Sequence, residues 1–305
     1  TWYDLYAKQN IRRSTQHQYT YFMKYLVTPR IGDLPLSQLS GLRLQMLYQD
    51  LCTSGRTHPQ KQAGLGLSPK TVRSVHMFLH AALEQAVRAG LISKKPTMDC
   101  KPPKSEKKEM KIIQAEHIRD YLQAAAERNV LPLFFLELTT GLRRGELLAL
   151  LWSDLDVQNR SISVTKSVAR LDGELVVSKP KTKHSIRTLV IPQQTVDLLV
   201  QEHSLHPDNP YLFPSPATGT MYGPETVARI HKRLLKDAGL EDCRFHDLRH
   251  TFATLALQNG VDIKTLSGML GHYSSGFTLD TYTHVTRKMQ EEAAEKLGRF
   301  MEMKL

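Results

Sequence analysis

A stretch rich in proline and charge divides this chain into two parts. It runs from Lys94 to Met110 (KKPTMDCKPPKSEKKEM) and holds few apolar residues, which is typical of a linker. The 305 residues are enough for two domains that each bury a core of their own. We therefore expect one domain over residues 1–106 and a second over residues 107–305, with the linker at about residues 94–110.

The first domain is predicted to be a small helical unit. Ser68 and Pro69 place an N-cap residue and a proline at the start of a helix, whose apolar positions recur at helical spacing until Gly90. Aromatic and apolar residues from Tyr19 to Leu26, and a segment from Leu42 to Leu51, predict two further helices.

The second domain is predicted to combine helices with short strands. Apolar periodicity and capping residues predict helices at residues 115–127, 131–139, 143–150, 194–202, 224–237, 247–258, 263–270 and 287–300. Short β-branched runs at residues 161–168, 174–178 and 187–191, separated by turn residues, predict a small antiparallel sheet. The expected fold class is therefore mainly α with a small antiparallel β-sheet.

Charge and cysteine content narrow the classes of function. The net charge is +11, and the first 106 residues hold 15 basic and 6 acidic residues against 26 and 24 in the remainder. This bias toward the first domain favours a polyanionic partner, although ordinary solubilising charge is the alternative. Cys52, Cys100 and Cys243 are too few and too far apart for a disulfide framework, and no apolar run approaches the roughly 20 residues of a membrane span. We expect a soluble protein of the reducing cytoplasm.

The pentapeptide HDLRH, at residues 246–250, concentrates polar chemistry on one helical turn. Residues three and four positions apart on a helix are neighbours, so His246, Arg249 and His250 can share a face. One interpretation is purely structural, with these side chains satisfied by local hydrogen bonds. A second is a zinc site, which the fixed charge of Arg249 disfavours. The third is a phosphate-binding site, because a guanidinium offers paired donors to phosphate oxygens.

Further cations and a candidate nucleophile stand in three other segments. They are Arg143 and Arg144 at a turn into a helix, Lys181 and Lys183 in a β-turn, His272 just past a helix end, and Tyr282 ten residues later. Each taken alone is weak evidence, because Tyr282 is one of eleven tyrosines and a hairpin lysine is usually only solvated. Together they supply what phosphoryl transfer without a metal requires.

The order and wording of these segments resemble a known family. TTGLRRGELLALLWSDLD, PKTKHSIRTLVIP, HDLRHTFATLALQNG and LGHYSSGFTLDTYTHV follow one another between Ile112 and Thr286, in the manner of tyrosine recombinases, the phage-integrase family. Within that family the wording is most similar to integrases of integrative and conjugative elements. The helical first domain is similar to the family's core-DNA-binding domain but has no sharp motif of its own.

The resemblance implies a catalytic set, which is Arg143, Lys181, His246, Arg249, His272 and Tyr282. Lys183 is an alternative to Lys181, because the register of that turn is not fixed by the sequence, and Arg144 and His250 are left structural or supporting. The resemblance also implies double-stranded DNA as substrate, a clamp of two domains around it, a homotetramer as the active assembly, and no cofactor or metal. An excision factor or a DNA-bending protein is a further expected partner. Relatives often begin with a small arm-DNA-binding domain, so a missing segment before Trp2 stays an open expectation.

The chemistry of this set can be argued from the residues themselves. A phenol has a reference pKa of about 10 and a phosphodiester resists anions, so both partners need positive charge nearby. Arg143 and Arg249 would hold the non-bridging oxygens, with His246 and His272 as further donors. Lys181 would protonate the departing 5′ oxygen. Tyr282 would carry the DNA as a 3′ phosphoester, with His246 helping to deprotonate it.

Alternatives from other classes stay open at this point. A type IB topoisomerase would use the same tyrosine chemistry without joining two sites. A DNA-binding protein with an unused site would never form a covalent adduct, and a zinc hydrolase is the third alternative. We also expect the helix at 287–300 to pack on a neighbouring protomer, although packing on its own domain is the simpler interpretation.

Overall fold

The chain forms two compact units, Thr1–Lys108 and Glu109–Leu305. The computed structural model describes residues 1–57, 64–105, 110–179, 185–271, 276, 278, 279, 282, 291, 294, 295 and 297–302. Each unit has a hydrophobic core of its own. Within the described residues, no helix is both long and apolar enough to cross a membrane.

The first unit is built from helices. Its α-helices are α1 (Arg13–Tyr21), α2 (Thr28–Ile31), α3 (Gly41–Ser54) and α4 (Pro69–Arg88). A π-helical segment, Phe22–Val27, continues α1 into α2, which ends at Ile31. Pro29 lies in the first turn of α2, a position at which proline is tolerated. The helical turns at Tyr3–Asn10 were not predicted.

Helix α4 starts and packs as its sequence predicts. The Ser68 hydroxyl accepts a hydrogen bond from the Thr71 backbone N–H, and Pro69 occupies the first helical position. Val72 and Val75 are fully buried, in one cluster with Leu44 and other residues of α3. Burying each large apolar side chain contributes about 1.5–3 kcal/mol, so this interface stabilises the unit.

Part of the predicted linker lies against the first unit. Pro96–Asp99 forms a 3₁₀ turn in which Thr97 is 3% exposed. The Thr97 hydroxyl lies 3.1 Å from His80 Nδ1, and the Lys101 N–H donates to the Gln45 side chain at 2.9 Å. Composition alone misses this packing, because the polar groups of the segment are satisfied by partners distant in the sequence.

The second unit surrounds one apolar helix. Its α-helices are α5 (Ile118–Glu127), α6 (Leu131–Thr140), α7 (Arg144–Leu148), α8 (Gln193–Ser204), α9 (Pro224–Asp237), α10 (Asp247–Gln258) and α11 (Ile263–Leu270). Helix α6 contacts α5, α8 and α10. It is apolar on nearly every side, which is typical of a helix buried within a domain.

Two small antiparallel sheets occur among the described residues, where the sequence predicted one. Strand β2 (Ser161–Val164) pairs with β1 (Leu155–Asp156) and β5 (Arg187–Val190), whereas β3 (Ser167–Leu171) pairs with β4 (Glu174–Ser178). The predicted run at 161–168 therefore divides between two sheets. At the division Lys166 forms an ion pair with Asp154, with 2.6 Å between Nζ and Oδ2.

The predicted C-terminal helix at 287–300 is described only in part. Residues 291, 294, 295 and 297–302 are helical, and the remainder of the predicted helix lies outside the described residues. Leu297, Phe300 and Met301 expose 65%, 57% and 61% of their surface.

Candidate active site

A glycine turn brings the first candidate residue into place. Helix α6 ends at Thr140, and Gly141 follows with φ +59° in the left-handed region. A Cβ on Gly141 would lie 2.3 Å from Cδ1 of Phe252, so neither the backbone angle nor the space suits another residue. The turn places Arg143 at the N-cap of α7.

Arg143 is held by its own helix and by a distant one. Its guanidinium donates to Glu146 Oε1 at 2.8 Å and to the Gly271 carbonyl at 3.1 Å, while its backbone N–H donates to Glu146 Oε2 at 3.1 Å. Its side chain is 38% exposed. Arg143 is therefore oriented by protein acceptors and still open to a ligand.

Arg249 is held more deeply by the same two regions. It lies on α10, is 3% exposed, and donates to the Gly141 carbonyl at 2.8 Å and the Leu270 carbonyl at 2.6 Å. These two bonds use two of the five N–H donors of a guanidinium. The predicted pair Arg143 and Arg249 thus meets at the neighbouring carbonyls of Leu270 and Gly271.

A third arginine, which the sequence reasoning did not single out, completes this cluster. Arg187 on β5 is 8% exposed and donates to the Met269 carbonyl at 2.6 Å and to Glu146 Oε2 at 3.0 Å. A signal for it exists in the sequence. Leu189 and Ile191 are buried, and alternate residues of a strand share a face, so Arg187 is a cation on an inward-facing position.

The end of α11 explains why three cations gather there. The carbonyls of Met269, Leu270 and Gly271 close the helix, and each accepts from a different arginine. The last carbonyls of a helix have no partners within it and carry its negative partial charge. Positive side chains are stabilised at such an end. The C-terminal end of α11 therefore holds the three arginines together, although they come from separate segments of the chain.

The charges of the cluster are tuned by burial and by each other. Burial lowers the pKa of Arg249 to about 10, with the charge of Arg143 adding to the effect, so this side chain stays protonated at neutral pH. Burial alone would raise the pKa of Glu146, but Arg187 and then Arg143 outweigh it and the pKa is lowered. Glu146 therefore remains an anion that bridges two guanidiniums.

The candidate nucleophile is buried beside this cluster. Tyr282 is 1% exposed, packs with Phe252 and Leu270, and places its hydroxyl 2.7 Å from Nδ1 of His250. Burial raises the pKa of the phenol to about 12, against an opposing effect of the Arg249 charge. His250, which was predicted to have only a structural or supporting role, is thus the histidine in contact with the phenol.

The family comparison agrees with this geometry. The model described as "Phage integrase family" matches residues 106–289, which is more than half of the chain. The chain belongs to the phage integrase family. It is therefore a site-specific tyrosine recombinase, as the resemblance of its four motifs indicated.

Individual relatives of the recombinase are integrases of mobile elements. The ICEBs1 integrase of Bacillus subtilis is 31% identical over 287 residues, covering 90% of this chain and 76% of its own length. The integrase of the Tn1549 transposon, solved in complex with transposon right end DNA, has a TM-score of 0.78 at 22% identity and covers 95% of this chain and 98% of its own. The lambda integrase tetramer bound to a Holliday junction has a TM-score of 0.66 at 20% identity, covering 90% and 76%.

Of the other candidate residues of the recombinase, the structure describes His246 and Arg144 but not Lys181, Lys183 or His272. His246 is the N-cap residue of α10, its ring centroid is 5.4 Å from that of His250, and burial lowers its pKa to about 4. Arg144 and His246 line a cleft of about 650 Å³. Lys181, Lys183 and His272 lie outside the described residues, so their roles stay predictions.

The zinc interpretation of HDLRH gains no support from this part of the chain. Among the described residues, no three His, Cys, Asp or Glu side chains are close enough together to hold a metal ion. Near His250 lie the hydroxyl of Tyr282 and the charges of Asp247 and Arg249.

Proposed function

We propose that this recombinase cuts and rejoins DNA strands at the ends of a mobile element, through a 3′-phosphotyrosine formed by Tyr282. One observation carries the proposal. Arg143 and Arg249 donate to neighbouring carbonyls at the end of α11, and the buried phenol of Tyr282 packs against Leu270 of the same helix end. Two fixed cations and a nucleophile in one place match the needs of phosphodiester cleavage without a metal.

The arginines would bind the phosphate and stabilise its transition state. Arg143, which is partly exposed, would meet a non-bridging oxygen first, and Arg249 would use donors not engaged by Gly141 and Leu270. Donors fixed before the reaction starts need no reorganisation while charge builds on phosphorus. Glu146 would keep Arg143 in position without cancelling the cluster, because it is shared with Arg187.

The other assignments follow from the family motifs. Lys181, or Lys183 in its place, would protonate the 5′ oxygen as it leaves. His246 and His272 would donate to the phosphate. This set requires no metal, and no nucleotide is needed as an energy source, since the bond energy would be kept in the phosphotyrosine until a 5′ hydroxyl attacks it.

Access is a necessary part of this function. Arg249 and Tyr282 are 3% and 1% exposed, so a phosphate in contact with both requires a change in their surroundings when DNA binds. Such a resting arrangement would keep single molecules from cutting DNA before a complex has formed.

Assembly on DNA is also part of the proposal. We infer that double-stranded DNA is the partner, that four copies act together on two sites, and that the protein works in the cytoplasm on bacterial DNA. The exposed Leu297, Phe300 and Met301 support the view that the C-terminal helix packs on a neighbouring copy. The Tn1549 and lambda integrases, which have the same fold, were solved on DNA, the latter as a tetramer.

The direct test uses a nicked suicide duplex that carries the attachment sequence of the element in which the gene lies. The wild type should form a covalent protein–DNA band that survives denaturing electrophoresis, and Tyr282→Phe should form none. A band of equal strength from Tyr282→Phe would show that Tyr282 is not the nucleophile. Joining of two duplexes would separate a recombinase from a topoisomerase, which only relaxes supercoils.

A further inference from the structure

The phenol of Tyr282 makes its hydrogen bond with a histidine that the family motifs leave unassigned. The hydroxyl lies 2.7 Å from His250 Nδ1, and the two rings are 5.9 Å apart at an angle of 55°. A distance of 2.7 Å is typical of a well-formed hydrogen bond. The contact joins α10 to a residue far along the chain, so it results from tertiary folding and not from local sequence.

The surroundings of His250 suit a proton acceptor. Burial lowers its pKa, Asp247 opposes this, and Arg249 and Arg244 add to it, so the ring is neutral at pH 7. Of the described residues, these three, together with His246 and Tyr282, are the titratable or charged groups that face it. A neutral ring with its proton on Nε2 leaves Nδ1 free to accept the phenolic hydrogen.

We propose that His250 is the general base of strand cleavage, taking the phenolic proton of Tyr282 as the oxygen attacks phosphorus. This role rests on the proposed function, because it requires Tyr282 to be the nucleophile. His246, to which the sequence reasoning gave this task, is the poorer candidate. The phenolic hydroxyl is hydrogen-bonded to its neighbour His250, and burial lowers the pKa of His246 to about 4.

The proposed step balances in atoms and charge. The phenolic oxygen forms a bond to phosphorus while its proton moves to Nδ1 of His250, giving an imidazolium. The bond between phosphorus and the 5′ oxygen breaks, and that oxygen takes a proton from the general acid of the hairpin. Religation reverses both transfers, so His250 returns its proton to the phenol when the 5′ hydroxyl attacks.

The experiment compares His250→Asn and His250→Ala with the wild type, in single-turnover cleavage of the nicked suicide duplex. Asparagine can place its side-chain oxygen near the position of Nδ1 and keep a hydrogen bond to the phenol, but it cannot accept a proton. His117→Asn is the matched control, since His117 is about half exposed and lies outside the four motifs. Thermal unfolding of every variant checks that each one folds.

General base catalysis typically contributes about 10²–10⁴-fold. We expect His250→Asn to cleave about 100-fold or more slowly than the wild type at pH 7, with unchanged DNA binding and near-normal thermal stability. The control should cleave at the wild-type rate. His250→Ala should be at least as slow as His250→Asn, because it loses the hydrogen bond as well.

The dependence on pH separates a base from a residue that only positions the phenol. Without a base, the reaction needs phenolate formed in advance, and its fraction rises about tenfold per pH unit below the phenol pKa. The ratio of the wild-type rate to the His250→Asn rate should therefore fall about tenfold for each pH unit between pH 7 and 9. Groups common to both proteins cancel in this ratio.

Three results would overturn the proposal. A constant ratio across this range would make His250 a positioning residue only, and equal or faster cleavage by His250→Asn would make the contact a restraint on the phenol. If the wild type forms no covalent adduct, the proposed function is wrong, and the role of His250 as general base is wrong with it. An adduct with the wild type but none with Tyr282→Phe keeps the proposed function intact, so a failure of His250 alone is recognisable.

Discussion

At the residue scale, the charged carboxylate of Glu146 holds two arginine side chains in position. Its carboxylate accepts from Arg143 at 2.8 Å and from Arg187 at 3.0 Å, and it is 2% exposed. A buried anion shared by two cations holds both in place, and losing its charge leaves both without a counter-ion. The orientation of the Arg143 guanidinium is therefore set by Glu146, a residue that would not itself need to touch the DNA.

We expect Glu146→Gln to lower the free energy of unfolding by about 1.5–3 kcal/mol at pH 7, the usual contribution of a hydrogen bond to a charged group. Because the folded pKa of Glu146 is lowered, its contribution is present above the unfolded pKa near 4.5 and is lost as the pH falls through the folded value. Denaturant unfolding between pH 7 and 3 should show the two proteins converging at low pH. A difference that stays constant over this range would contradict the assigned charge.

The sequence identifies some of these residues and not others, for a physical reason. Arg143, Arg249 and Tyr282 stand in motifs whose wording is specific, and the structure brings them together. Arg187 and His250 matter through contacts with Met269 and Tyr282, which are far away in the chain. Such contacts exist only once the fold has formed, and periodicity gives at most the hint of a cation on an inward strand position.

At the scale of elements, the junction of α6 and α7 positions the site. Gly141 allows α6 to end and α7 to begin within a few residues, and its carbonyl accepts from Arg249. The glycine lies against Phe252 of α10. Helices α6, α7 and α10 therefore meet at Gly141, where the absence of a side chain leaves room for their close approach.

Gly141→Ala should therefore be costly. Gly239→Ala is the matched control, because Gly239 has φ +68° in the same unit but nothing within 4 Å of its added Cβ. Both carry the strain of a left-handed alanine, and only Gly141→Ala must also displace Phe252, which typically adds about 1–3 kcal/mol. Thermal or denaturant unfolding should show that difference between the variants. Equal destabilisation of the two variants would mean that the Phe252 side chain moves aside without a measurable cost in free energy.

Elements with clear caps were predicted closely, and elements fixed by distant contacts were not. Pro224–Asp237, Asp247–Gln258 and Ile263–Leu270 have the predicted bounds, because proline, an acidic first turn and terminal glycines mark them. The run at 161–168 was predicted as one strand, since nothing in its β-branched pattern shows that Lys166 pairs with Asp154 and divides it.

At the scale of the whole molecule, activity is expected to depend on contact between copies. The exposed apolar side chains at 297, 300 and 301 lie on one short helical stretch. Scattered apolar residues are normal on a surface, but three in one turn favour a partner. The sequence predicted a helix here from its periodicity, yet periodicity alone cannot distinguish packing on the same chain from packing on a neighbour.

Removal of residues after Thr286 should impair strand exchange between two sites by at least tenfold and leave binding to a single site within about twofold. Gel shift on one site and recombination of two labelled duplexes measure the two effects. Leu297→Ser with Phe300→Ser, which keeps the chain length, is the companion variant and should show the same split. Normal strand exchange by both proteins would place this helix outside the assembly.

The central claim is that Arg143 neutralises a non-bridging oxygen of the phosphate attacked by Tyr282. A methylphosphonate at the scissile position replaces that oxygen by a methyl group and removes its charge, so cleavage of this duplex and of the ordinary one by Arg143→Ala tests the claim directly. On the ordinary duplex the variant should form adduct about 10²–10³-fold more slowly than the wild type. On the methylphosphonate the difference should shrink to about tenfold or less, whereas an equal loss of rate on both duplexes would contradict the account.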